Sequence, residues 1–134
     1  MKKLSILLII FSLGVFSCTK EEISTQNSLA GEWQWTMSTG GLAGTTITPT
    51  SAGYERKLVL TSDFKYARYK NSTLEKSGTF EIVKAKSIYK TELVDFIKYD
   101  DGVMSVIQNV TTDELSLADN FNDGFGETYK RIKK

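Results

Sequence analysis

"SLAGEWQWTMSTGGLAG", residues 28–44, holds both tryptophans of the chain, two positions apart between a glycine and a glycine-rich run. Trp33, Trp35 and Met37 alternate with Glu32, Gln34 and Thr36, which gives one apolar and one polar face. A period of two is the mark of a strand buried on one side. The pattern recurs down the chain. Leu58 and Leu60 alternate with Lys57, Val59 and Thr61; Phe64 and Tyr66 oppose Lys65; Phe80 and Ile82 alternate with Thr79 and Glu81. Residues 87–99 read as one long strand with room for a bend, and 103–110, 114–118 and 125–133 follow.

Turn chemistry separates these runs. Ser62-Asp63, Asn71-Ser72-Thr73, Asp100-Asp101-Gly102 and the 119–124 stretch DNFNDG supply side-chain oxygens or the positive φ that tight turns need. Almost no segment has the length and period of a helix. About eight short antiparallel strands result. A meander leaves two open edges unless it closes, and short hairpin links favour closure over a two-sheet sandwich. The expected fold is therefore all-β, an eight-stranded antiparallel up-and-down barrel over residues 29–134. The segment 38–53, with four glycines and one proline, reads as a long flexible loop, either a lid over the mouth or a surface loop.

The N-terminus carries a different message. Met1-Lys2-Lys3 is basic and Leu4 to Phe16 is apolar but short of the ~20 residues that span a bilayer. Residues 1–17 thus read as a secretory signal peptide. Its end, "GVFSC", resembles the lipobox of bacterial lipoproteins, with Cys18, the one cysteine, as the lipidated residue. Such a cysteine carries palmitate-type acyl chains, and several chains together anchor stably. Residues 18–28 then form a tether. Its Lys20-Glu21-Glu22 is similar to the surface-export signal of Bacteroidetes lipoproteins. The expected location is the cell envelope, lipid-anchored in the outer membrane.

Losing Lys2 and Lys3 with the signal leaves 15 Lys+Arg against 16 Asp+Glu, one net negative charge. No basic excess is left to hold nucleic acid. The chain suffices for one small domain, expected to be a monomer. It has no histidine, which removes His-activated nucleophiles and the commonest zinc ligand. Asp95, Asp100, Asp101, Asp113, Asp119 and Asp123 mostly fall at predicted turns, where aspartate is expected anyway. Counted from Asp119, a calcium loop would need an oxygen at Phe121 and a glutamate at Lys130, and the match fails. The expectation is a non-enzymatic protein with no cofactor and no metal.

"LAGEWQW" resembles the Gly-x-Trp signature of lipocalins, with Gly31 and Trp33 at the matching positions. "YKRIKK" is similar to the last strand of that family, and "SGTFEI" at 77–82 and residues 113–132 resemble lipocalin-like lipoproteins of Bacteroidetes. The resemblance implies that Arg131 packs across Trp33 as a structural signature. Trp35, Tyr66, Phe80, Phe96, Phe125 and Tyr129 fall at alternating positions that either line a ligand cavity or fill the core. Arg68 shares the register of Tyr66, and an inward guanidinium needs a partner. Trp35, Met37, Tyr66, Arg68, Phe80 and Tyr129 are therefore the candidate ligand-binding residues. The expected ligand is small and hydrophobic or amphipathic; the rival expectation is an interaction module for another envelope protein or a glycan.

Overall fold

The computed structural model describes residues 25–133 apart from residue 27. The expected signal peptide, Cys18 and most of the tether lie outside the described residues. The elements are β1 (Gly31–Gly40), β2 (Thr45–Ile47), α1 (Pro49–Ala52), β3 (Arg56–Leu60), β4 (Lys65–Lys70), β5 (Thr73–Ser87), β6 (Lys90–Tyr99), β7 (Met104–Val110), β8 (Glu114–Ala118) and β9 (Phe125–Arg131). Strands β3 to β9 pair antiparallel in sequence order, and β1 pairs with β3 on one edge and β9 on the other. Eight strands thus close into the expected barrel, and β2 is an extra strand on the far part of β1.

The first half of β1 builds the closed end. Trp33 is 0% exposed and packs in one cluster with Leu29, Leu58, Leu60, Leu115 and Ile97. The Arg131 guanidinium lies 4.0 Å over the Trp33 ring. Its nitrogens donate to the carbonyls of Ala30 (2.7 Å), Ser28 (2.6 Å) and Thr112 (2.5 Å), while Trp33 Nε1 donates to Leu29 O at 2.8 Å. A Cβ on Gly31 would collide with the same guanidinium, and the backbone there has φ +157°, so both close approach and conformation call for glycine.

Register shifts interrupt the ladders at Arg68/Tyr69, Lys86/Ser87 and Ile107/Asn109, and one in β1 changes which residues face the interior. The β1–β9 register shifts between Trp35 and Met37. A bulge adds one residue and reverses the facing of all that follow. Met37 therefore turns outward, 40% exposed, and Ser38 turns inward, 5% exposed. This corrects the expectation that Met37 shares the inward face of Trp33 and Trp35.

The segment 38–53 is also more regular than its composition suggests. Gly41 and Gly44 take positive φ, 74° and 61°, and fold β2 back on β1. Thr48 and Ser51 then form a reciprocal capping box for α1, Pro49 opens it, and Gly53 closes it in the left-handed region. Ile47, Ala52 and Tyr54 pack against the core.

The expected long strand 87–99 is instead divided. β5 runs on to Ser87, and the chain turns at Ile88-Tyr89 into β6. Ser87 Oγ accepts from Tyr89 N at 3.1 Å within the turn, and tertiary bonds hold it from outside. Asn120 Oδ1 accepts from Ile88 N (2.9 Å), Asn120 Nδ2 donates to Lys86 O (3.2 Å), and Tyr89 donates to Asp119 O (2.7 Å). The hairpin consequently bends back over the outer face of the barrel. Phe96, expected inward, pairs with Val83 and Val106 on that outer row, while its neighbour Ile97 joins the interior cluster. Phe96 is nonetheless buried, as are Val106 and Ala118 beside it.

Candidate functional site

Past the Trp33 layer the interior becomes polar. A cavity of about 320 Å³ is lined by Arg56, Leu58, Arg68, Ser105, Glu127 and Tyr129, with Glu75 and Asp119 among the remaining lining residues. Alternation places these side chains. Arg56 shares its face with Leu58 and Leu60 in β3, Arg68 follows Tyr66 in β4, and Glu127 precedes Tyr129 in β9.

Arg56 is well engaged. Its Nη1 meets Glu127 Oε1 at 2.7 Å, its Nη2 donates to Ser38 Oγ at 3.0 Å, and its carbon lies 4.1 Å over the Trp35 ring. Trp35 Nε1 donates to the same Ser38 hydroxyl at 3.0 Å. Tyr54 stacks on the Trp35 ring at 5.9 Å. Tyr129 donates to Glu127 Oε2 at 2.5 Å, and burial followed by the Glu127 charge holds its phenol well above the usual tyrosine range. That proton therefore stays in place at neutral pH.

Arg68 stands differently. Its guanidinium lies 4.2 Å over the Tyr99 ring and 5.4 Å from the Tyr66 ring. Among the described residues it has no ion-pair partner. Burial raises the Tyr99 pKa although Arg68 opposes the shift, so Tyr99 is neutral and supplies no counter-charge to Arg68. Tyr66, likewise raised by burial, donates to Asp100 Oδ1 at 3.2 Å. A half-buried guanidinium on an aromatic face, with a cavity in front of it, is suited to an anion.

Of the six candidate ligand-binding residues, Arg68 and Tyr129 line this cavity. Trp35, Tyr66 and Phe80 are buried members of the core, and Met37 faces outward. Phe125 lies near the mouth, beside Asp119 and Glu127. Arg56, Ser38, Glu127 and Tyr99 were not among the candidates. Period-two register would have found Arg56 and Glu127, whereas Ser38 depends on the bulge. Among the described residues no group of three or more His, Cys, Asp or Glu could hold a metal ion.

No family model, no curated protein and no solved structure matches the chain.

Proposed function

We propose that the chain is a non-enzymatic envelope lipoprotein, anchored through acyl chains on Cys18, whose lipocalin-like barrel binds a small amphipathic molecule by its anionic end. The observation that carries this reading is Arg68, a guanidinium without an ion-pair partner among the described residues, at a cavity of about 320 Å³. The polar lining favours an amphipathic ligand over a purely hydrophobic one. The anionic group meets Arg68 and Ser105, and the apolar portion extends past Leu58 and Val103.

A charge-assisted hydrogen bond contributes about 1.5–3 kcal/mol, or roughly 10- to 100-fold in affinity. Arg68→Gln is expected to weaken binding of a fluorescent fatty acid to the full chain by that factor. Equal affinity in the variant, or no binding by the wild type, would sink the reading. The anchor has its own test. A clickable fatty-acid analogue should label the wild-type chain in its host and leave Cys18→Ser unlabelled; labelling of both chains refutes lipidation at that site.

A second reading draws on the mouth rim. Leu42, 92% exposed in the β1–β2 turn, and exposed Phe121 in the β8–β9 loop present apolar surface. These turns meet through the Gly41 N–Gly124 O bond, and such surface suits a protein partner in the envelope.

A further inference from the structure

The bent-back β5–β6 hairpin creates a second hollow, on the outside of the barrel. It measures about 310 Å³ and is lined by Thr39, Tyr89, Gln108, Ser116, Gly126 and Thr128, with Ala118 and Gly124 completing its floor. The floor is a cross-strand row. Thr39 pairs with Gly126 and Gly126 with Ala118, while Thr128 pairs with Ser116. Tyr89 stands over this row as a wall, fixed by its bond to Asp119 O at 2.7 Å.

The hollow is almost free of charge. Glu127 is its one charged lining residue, and that carboxylate is engaged by Arg56 and Tyr129 on the inner face. What it offers instead is three hydroxyls, one side-chain amide and one aromatic ring. The side chains of Gln108, Ser116 and Thr128 enter none of the hydrogen bonds among the described residues. Hydroxyls both donate and accept, and so does an amide. An aromatic ring adds a flat apolar face with low entropy cost.

The bareness of the floor is not forced by packing. A Cβ on Gly126 would meet nothing nearer than Thr39 O at 3.8 Å, and φ at Gly126 is not in the left-handed region. An alanine would fit there. Glycine therefore leaves open a space that the fold itself does not need.

We propose that this outer hollow is a saccharide-binding site for a neutral sugar, separate from the barrel interior. A pyranose ring places its C–H face against Tyr89 and its hydroxyls toward Gln108, Thr39, Ser116 and Thr128. Anionic and cationic ligands find no counter-charge there, and a lipid chain would leave the hydroxyls and amide unpaired.

The test is saturation-transfer NMR on the full chain with maltohexaose, cellohexaose and chitohexaose as probes. At least one sugar is expected to receive saturation. Tyr89→Ala and Gly126→Val should each weaken its affinity at least tenfold, with the thermal midpoint monitored to show that the fold persists. Arg68→Gln should leave sugar binding unchanged, which separates this site from the barrel cavity. The proposal is overturned if none of the three sugars receives saturation, or if transfer survives undiminished in both hollow variants. Loss of transfer in Arg68→Gln would move the sugar into the barrel and overturn it equally.

Discussion

Trp33→Ala is expected to remove about 3–5 kcal/mol of stability, the usual cost of truncating a fully buried large aromatic. The side chain is 0% exposed, so its whole volume becomes a cavity ringed by Leu29, Leu58 and Leu115. Two further losses follow. Leu29 O loses its indole donor, and the Arg131 guanidinium loses the ring on which it rests. A domain of this size has about 5–15 kcal/mol in total, so the variant should lose a large share of its folded population. Urea denaturation followed by far-ultraviolet circular dichroism measures it. A loss below about 1 kcal/mol, the size of an ordinary substitution, would show that Trp33 does not close the barrel.

Gly31→Ala should cost about 2–3 kcal/mol for a single added methyl group. The new carbon cannot coexist with the present position of Arg131 Nη1. The guanidinium is held by three carbonyls, so moving it sacrifices charge-assisted bonds of about 1.5–3 kcal/mol each. A double-mutant cycle isolates the cause. In an Arg131→Met background the methyl has no guanidinium to displace, so Gly31→Ala should cost about 1–2 kcal/mol less there, leaving the strain of the positive φ at residue 31. If the alanine costs the same in both backgrounds, backbone strain at residue 31 and not the close approach accounts for the glycine.

Much of the barrel is legible in the sequence because burial on one face imposes a period of two on nearly every strand. Gly31, Trp33 and Arg131 could be read as one structural group, and they meet in space. The failures share a physical origin. Met37 faces outward because a bulge changes register without leaving a residue-type signal, and Ser38 takes the inward place. The Ile88-Tyr89 turn contains no glycine, asparagine or aspartate; beyond the Ser87 hydroxyl that accepts from Tyr89 N, its bonds come from Asn120 and Asp119, some 30 positions away. Long-range partners of this kind have no local trace. Arg68 could be placed from alternation, and its lack of a carboxylate neighbour required the assembled sheet. Arg56 and Glu127 were available to the same alternation, and only their mutual approach across β1 marks them as a pair.

The Arg131 clasp has a mechanical side. β1 begins and β9 ends at the same pole of the barrel, where Trp33 lies opposite Arg131. Tension between the segments that leave these two strands would therefore open them like a zip, loading one rung at a time. The first rungs under load are the carbonyls of Ser28 and Ala30 on the arginine and the Ile132 N–Glu32 O bond at 2.8 Å. A pull on the chain that leads into β1 is thus borne at the pole away from Arg56 and Glu127, and the mouth keeps its shape until the clasp gives way.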